Sequence, residues 1–520
     1  MACCRLWRSI GMASVASCWG ELPEGPARNA FLRLAGGEDA TNHQQLTGNI
    51  PGDVRLVCRG WARQVAGAWR TLRPADVEDV ALWRARLGRM WSLSAIDFRR
   101  CCTQVTDATL EALRDLEPTG LTDLDLSYCY GVTDVGMAAL APLTGLTSLD
   151  MRECDRVTNV GLAALQQLTG LRKLSVRECA VTDAGMVALG MMTGLTDLDL
   201  CECAGITGAG IAALRALTGL TGLNLCQCWG LTGAWINELG PVTALTSLWC
   251  HSFTDDGLVA LASRTGLTGL YVGGEVTDVG LVALGAMTRL TFLSVDQTSS
   301  VTDVGLATLL GRLTGLTRLD IGSFDSGFDV GLLELEALTG LRHLKVRDVT
   351  DLNAAELGRL TGLTRLSARC SDMTEVGLAE LGRLTGLTRL NVSDSMDSMD
   401  AWGIKALVDE LAPLSGLTRL NVSQCSLGDW GMKALQPLTG LRHLNVSFCG
   451  VGDWGMMALG ALTGLTCLDA ESGKMTDDGL AWLGHLTGLT WLNLSQCDNV
   501  TDAGVEALEL AVSGLSLIIR

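Results

Sequence analysis

One unit of 24 to 25 residues is written again and again along this chain of 520 residues. It reads PTGLTDLDLSYCYGVTDVGMAAL into Leu140, returns as LTGLTSLDMRECDRVTNVGLAAL and LTGLRKLSVRECAVTDAGMVAL, and is still legible near the end as LTGLTWLNLSQCDNVTDAGVEAL. The Gly of its TGL marker stands at 120, 145, 170, 194, 219, 315, 340, 362, 386, 440, 464 and 488. Degenerate copies stand at Ala244, Gly266, Arg289, Gly416 and Gly514. Length alone suggests three or four domains. The repeat argues against that division, because one such unit cannot bury its own apolar face and must stack on its neighbours.

Each part of the unit has a physical role. In Leu121-x-x-Leu124-x-Leu126 the alternation turns Leu124 and Leu126 to one side of a short strand and Asp123, Asp125 and Ser127 to the other. Thr133 or Asp134 suits the cap of a following helix, whose Met137 and Leu140 share a face. The Gly of TGL suits a left-handed residue at a helix end. At about 1.5–3 kcal/mol per buried aliphatic side chain, about 18 stacked units suffice for one long α/β solenoid. Parallel strands are expected on its concave side and short helices on its convex side.

Composition follows from the copying: 62 Gly, 5% aromatics, 48% hydrophobic and 18% charged residues. That is no disordered polyelectrolyte. Mean hydropathy is +0.29, yet no run of 18 apolar residues is written, so no membrane partner or span is expected. Nineteen Cys, with no signal peptide recognisable, lead us to expect a reducing compartment, cytoplasmic or nuclear or both. The net charge of −18 divides unevenly: the first hundred residues sum to +5 and the other 420 to −23. An acidic body repels phosphate backbones, and no nucleic-acid partner is expected. Residues 1–20, with Arg5 and Arg8 and no acid, read as a flexible tail, with an organelle address the alternative.

These residues resemble the cysteine-containing, ribonuclease-inhibitor-like leucine-rich repeats, and the VTDxGL signature is similar to that of the F-box effectors called GALA proteins. The resemblance covers roughly Trp91 to Arg520. It implies a horseshoe with parallel strands inside and short helices outside. Before it, ELPEGPARNAFLRL and DVRLVCRGWARQVAGAWRTLRP resemble an F-box, the small helical module that docks a Skp-type adaptor of a cullin–RING ubiquitin ligase. The positions that match are Leu22, Pro23, Phe31, Leu32, Leu34, Val54, Leu56, Val57, Cys58 and Trp61, with Trp69 and Leu72 closing the module. The resemblance makes Leu22, Pro23, Phe31, Leu32, Leu34, Val57, Cys58 and Trp61 the adaptor-binding residues. The connection AGGEDATNHQQLTGNIPG departs from the family, being about ten residues longer. A helical cap over the open end of the array is the alternative. The expected divisions are a tail (1–20), the F-box-like module (21–75), a linker with a capping repeat (76–116) and the repeat array (117–520).

Cys101, Cys129, Cys154, Cys179, Cys203, Cys228, Cys425, Cys449 and Cys497 keep repeat register, which suits a buried ladder of small apolar fillers. Cys201-x-Cys203 and Cys226-x-Cys228 also have zinc-like spacing, but the ladder is the expectation. His43, His251, His343, His443 and His485 have no motif-placed partner, and neither a P-loop nor a dinucleotide fingerprint is present. A non-enzyme without cofactor or metal is therefore expected. Asp125, Asp150 and Asp199 read as solvated strand positions, or as an acidic patch. The sequons at Asn391, Asn421, Asn445 and Asn493 read as concave-face amides.

The concave positions change character along the chain. Asp123, Asp125, Asp150, Arg152, Lys173 and Arg177 come first. Trp249, His251, Tyr271 and Phe292 follow as hot-spot candidates. Then come Arg318, His343, Lys345, Arg347, Arg365, Arg369, Arg389, Arg419 and His443, a basic stripe suited to an acidic or phosphorylated segment. The candidate substrate-binding residues are Trp249, His251, Tyr271, Phe292, Lys345, Arg347, Arg365, Arg369 and Arg389, with ordinary soluble strand positions as the alternative. Trp402, Trp430 and Trp454, in register at one edge, are expected to pack between neighbouring helices, or else to form an interaction edge. The functional expectation is a substrate receptor of an SCF-type ligase. A plain interaction scaffold or a GALA-like effector is the alternative.

Overall fold

A computed structural model describes residues 71–72, 74, 77, 93–114, 120–231, 233, 235–240, 244–263, 266–296, 298, 300–322, 335–370, 375–393, 413–512, 514–515 and 517–519. The adaptor-binding residues Leu22 to Trp61, and Trp402, lie outside these. The described chain falls into two compact units, residues 1–230 with 238–244, and residues 231–237 with 245–520.

Among its described residues the N-terminal unit carries seven strands, β1 (Thr71–Leu72), β2 (Ala95–Asp97), β3 (Asp123–Asp125), β4 (Ser148–Asp150), β5 (Lys173–Ser175), β6 (Asp197–Asp199) and β7 (Gly222–Leu225). Each lies parallel to the next in unbroken register. β1 thus brings the end of segment 21–75 into the ladder. The C-terminal unit continues the same plan in β8 (Ser247–Thr254), β9 (Gly269–Glu275), β10 (Phe292–Val295), β11 (Arg318–Ile321), β12 (His343–Val349), β13 (Arg365–Cys370), β14 (Arg389–Asn391), β15 (Arg419–Asn421), β16 (His443–Asn445), β17 (Cys467–Asp469), β18 (Trp491–Asn493) and β19 (Leu517–Ile519). These too are parallel throughout. Each unit is a leucine-rich-repeat solenoid, with a short helix or 3₁₀ turn after most strands.

Helices such as Asp134–Leu140 and Asp183–Gly190 are too short to persist alone. Packing holds them: Met137, Leu140, Met186 and Leu189 are wholly buried. Two positions differ from the sequence reading. Ser127 is buried, because the strand ends at Asp125 and the chain dives inward; its Oγ donates to Asp125 Oδ1 at 2.6 Å. The TGL glycines are not left-handed; the left-handed residue is the one before each ladder cysteine from Cys129 onward, such as Tyr128 (φ 67°), Glu153 (φ 56°) and Gln424 (φ 59°). That conformation costs a non-glycine residue about 1–2 kcal/mol. It is offset by a bond to the next repeat, as when Glu153 N donates to the Arg177 carbonyl at 2.9 Å. At Gly170 the requirement is space, since a Cβ would stand 2.8 Å from the Thr144 carbonyl oxygen.

The cysteines form the expected ladder. Cys154 Sγ donates to the Leu126 carbonyl at 3.2 Å, Cys179 to Met151 at 3.1 Å, Cys203 to Val176 at 3.2 Å and Cys228 to Leu200 at 3.1 Å. Cys449 does the same to Val422 at 2.9 Å in the C-terminal unit. A thiol therefore satisfies a carbonyl of the preceding turn while filling apolar space. Burial pushes the Cys154 and Cys179 thiols up to about 12. The ladder lapses where Leu248 to Leu270 and Leu344 to Leu366 are only 22 residues apart. There the strands β8, β9, β12 and β13 run on for six to eight residues, in place of the turn that elsewhere carries the cysteine.

Candidate ligand-binding face of the C-terminal unit

Strands β10 to β18 each send two side chains to the concave face, two residues apart, while the intervening Leu enters the core. In register, the first row reads Phe292, Arg318, His343, Arg365, Arg389, Arg419, His443, Cys467, Trp491. The second reads Ser294, Asp320, Lys345, Ser367, Asn391, Asn421, Asn445, Asp469, Asn493. From His343 to Trp491 these rows line an open trough of about 440 Å³.

The arginines in the two units differ in how their charge is met. In the N-terminal unit Arg99 pairs with Asp97 (2.7 Å) and Asp125 (3.0 Å), Arg152 with Asp150 (2.5 Å), and Arg177 with Glu178 (3.0 Å) and Glu202. Arg318, in the C-terminal unit, pairs with Asp320 at 2.8 Å and lies over the Phe292 ring at 4.7 Å. Arg365, Arg389 and Arg419 have no carboxylate partner among the described residues. Where Arg318 has Asp two residues on, they have Ser367, Asn391 and Asn421. They stand on three consecutive strands, about 4.8 Å apart. Partial desolvation, together with the guanidiniums of Arg365 and Arg419, holds Arg389 below the usual arginine range.

The second row adds donors. Asn391 Oδ1 accepts from Ser393 N at 3.0 Å and Asn421 Oδ1 from Ser423 N at 2.9 Å. These side-chain turns commit the acceptor ends of the two sequon amides and leave their Nδ2 groups as donors beside Arg389 and Arg419. Carboxylates flank this stretch on both sides, and both are occupied. Asp320 holds Arg318, and Asp469 accepts from Asn445 Nδ2 (3.2 Å), Ser447 Oγ (2.7 Å) and Asn493 Nδ2 (2.9 Å).

Histidines close the two ends of the arginine run. Burial first, then Arg318, Arg365 and Arg389, lower the pKa of His343 against an opposing pull from Asp320. Burial, then Arg419 and Arg389, lower that of His443, whose Nδ1 is buried without a partner. The positive charge near neutral pH therefore resides on the guanidiniums.

The structure separates the nine sequence-derived candidates into groups. Arg365 and Arg389 stand side by side in the first row, and Lys345 lies across from them in the second. Trp249, His251 and Tyr271 lie on β8 and β9, where Tyr271 Oη is 2.8 Å from His251 Nε2 and donates to Asp296 Oδ2 at 3.1 Å. Phe292 supports Arg318. Tyr271 and His251 thus belong to a network with Asp296, outside the residues that line the trough. Arg347 and Arg369 lie farther along β12 and β13. The sequence reading left Arg419, Asn391, Asn421 and Trp491 off the candidate site. The signal was present in the recurring T-R-L of residues 364–366, 388–390 and 418–420, each followed by Ser or Asn instead of Asp.

The tryptophan edge requires a correction. Trp430 and Trp454 are 76% and 73% exposed, so they do not pack between helices. They directly follow the aspartate at the helix start (Asp429, Asp453), a position that also leaves Val279 and Val304 exposed. Lys433 Nζ lies 5.6 Å from the Trp430 ring centroid. Among the described residues, no group of three or more His, Cys, Asp or Glu could hold a metal ion, and no helix is long and apolar enough to cross a membrane.

Comparison with known proteins agrees with this architecture. A family model described as a leucine-rich repeat region matches residues 276–509, and one described as a leucine-rich repeat matches 119–141, 144–165 and 167–190. These segments of the chain thus carry leucine-rich repeats. Solved structures similar to it include an internalin (inlF) of Listeria monocytogenes, 19% identical with a TM-score of 0.31, covering 79% of this chain and 88% of that one. The mouse RP105/MD-1 complex is 17% identical with a TM-score of 0.42, covering 86% and 85%. No curated protein matches the chain.

Proposed function

We propose that this leucine-rich-repeat protein is the substrate-recognition subunit of an SCF-type cullin–RING ubiquitin ligase, acting in the cytoplasm or nucleus. Residues 21–75 hold the Skp-type adaptor, and the concave face of the C-terminal unit holds the target protein. The subunit performs no chemistry itself. The observation that carries the recognition half is the row Arg365, Arg389, Arg419, three neighbouring guanidiniums with no carboxylate partner among the described residues. Like charges packed this closely repel one another, and an external anion relieves them. The adaptor half is supported by the Leu22-Pro23 and Val57-Cys58-x-x-Trp61 resemblance. Co-purification with a Skp-type adaptor tests it: wild type should retain the adaptor, and a Leu22/Pro23/Trp61 triple alanine variant should lose it. No retention by wild type sinks the ligase reading.

The second reading is an interaction scaffold, or a GALA-like effector, in which the N-terminal segment serves only as a cap. It is favoured by β1, because Thr71 and Leu72 pair with Ala95 and Ile96 at the start of the ladder, as a cap does. Under that reading the triple variant loses stability of the first repeats, and no adaptor is retained by either protein.

A further inference from the structure

We infer that the trough of the C-terminal unit binds a phosphoserine or phosphothreonine on an extended segment of the partner protein, the phosphoryl group lying across Arg365, Arg389 and Arg419. This rests on the concave face being the recognition surface and specifies what it recognises. Three observations lead there.

The first is the donor inventory. Three guanidiniums and the Nδ2 groups of Asn391 and Asn421 converge on one stretch of sheet, and the acceptor ends of both amides are already committed. A surface with this excess of donors, three of them cationic, favours an anion. Phosphate offers three acceptor oxygens and nearly two charges. It can bridge guanidiniums about 4.8 Å apart, whereas one Asp or Glu carboxylate satisfies a single arginine.

The second is length. The donor stretch covers β13 to β15, and Asp320 and Asp469 stand beyond it on either side. A polyanion such as RNA would run onto these carboxylates. A single dianion fits between them.

The third is the far end of the trough, where Arg419 is followed in register by His443, Cys467 and half-buried Trp491. Four strand spacings separate Arg389, the middle of the arginine row, from Trp491, about 19 Å, which an extended peptide crosses in about six residues. The segment recognised therefore carries a large apolar side chain about six residues from the phosphorylated one.

The test uses the full chain and arrayed peptides with a fixed central phosphoserine and randomised flanks, alongside the same arrays with serine or glutamate at that position. Poly(U) RNA serves as the competing polyanion. Phosphorylated peptides should bind about tenfold or more tighter than either counterpart and be enriched in Leu, Phe or Trp about six residues away. Arg389→Gln should remove that preference, Arg389→Lys should keep part of it because charge remains without the bidentate fork, and Arg177→Gln should leave binding unchanged. Equal binding of phosphorylated and unphosphorylated peptides, insensitivity to Arg389→Gln in a protein that still unfolds cooperatively, or tighter binding of poly(U) would each overturn the inference. Adaptor retention is measured on the same preparations. Retained adaptor without phosphate preference removes this inference and leaves the ligase reading standing; phosphate preference without adaptor does the reverse.

Discussion

Asp134 opens one helix and closes the start of the next, accepting at Oδ1 from Thr158 N (2.7 Å) and Gly161 N (2.9 Å) and at Oδ2 from Thr158 Oγ1 (2.7 Å). The sequence suggested that Thr or Asp would cap the helix of its own repeat. Thr133 does so, accepting from Val135 N at 3.2 Å, while the aspartate reaches across the repeat boundary. Asp107 serves Thr133 and Gly136 in the same way, and Asp255 serves Thr277 and Gly280. The T-D-x-G signature is thus a staple between neighbours. Asp134→Ala should destabilise the N-terminal unit by about 2–3 kcal/mol, as expected when helix-start N–H groups lose a charged acceptor. Asp134→Asn should cost less than half of that, since Asn159 in the same position still accepts from Thr182 N at 3.0 Å. Urea unfolding, together with amide exchange at Thr158 and Gly161, measures both.

Gly161 is the other half of the same device. A Cβ there would stand 2.5 Å from Asp134 Oδ1, so Gly161→Ala should displace the carboxylate and cost about 1–3 kcal/mol. In an Asp134→Ala background the clash is gone, and the added cost should fall well below that of the single change. A double-mutant cycle checks this, and strict additivity would show that the glycine is kept for another reason.

The repeat made the strand pairing, the leucine core and the cysteine ladder legible in advance, because each depends on one residue type at a fixed offset. Three things were not legible for a common reason: they depend on the neighbouring repeat. The left-handed residue before each cysteine, the cross-repeat aspartate and the close backbone approach at Gly170 appear only when two units are laid together. The site was half legible. Arg365 and Arg389 stood out as basic residues, whereas the aromatic candidates Trp249 and Tyr271 attracted notice through side-chain type and stand on β8 and β9, outside the trough. What sets the arginines apart is the residue two positions on, Asp after Arg318 but Ser or Asn after the other three.

The cysteine ladder gives the fold a pH dependence. The buried thiols of Cys154, Cys179 and Cys201 are pushed up to about 12 and that of Cys228 to about 11, in each case first by desolvation. A free thiol in the unfolded chain ionises near 8.5. The unfolded state therefore sheds protons first, and stability present below about pH 8.5 is lost as pH rises toward 12. The urea midpoint should fall between pH 8.5 and 10.5 in reducing buffer, and fall less in a variant with Cys154, Cys179 and Cys228 replaced by Ala. Alkylation of the native protein at pH 8 should label the partly exposed Cys102, Cys226 and Cys467 before any ladder thiol.

The exposed tryptophans should contribute little to the fold. Replacing Trp430 and Trp454 with Thr should change the unfolding free energy by less than about 0.5 kcal/mol each, the usual range for surface positions. Acrylamide should quench both in the native protein. A loss of several kcal/mol would restore the packed reading.

The arginine row leads to a prediction of the opposite sign from the usual one. Most substitutions destabilise, but Arg389 stands between two guanidiniums on adjacent strands and has no carboxylate partner among the described residues. Removing it relieves repulsion and costs no ion pair. Arg389→Ser should therefore raise the thermal midpoint of the unliganded protein at low ionic strength, and the gain should shrink in 0.5 M salt as the Debye length falls to about 4 Å. Arg152→Ser, which breaks a pair with Asp150 at 2.5 Å, should show no such gain and serves as the control. A site that lowers the stability of its own fold when empty is kept for what it binds. A fall in midpoint for Arg389→Ser would mean that the arginine is already neutralised within the chain.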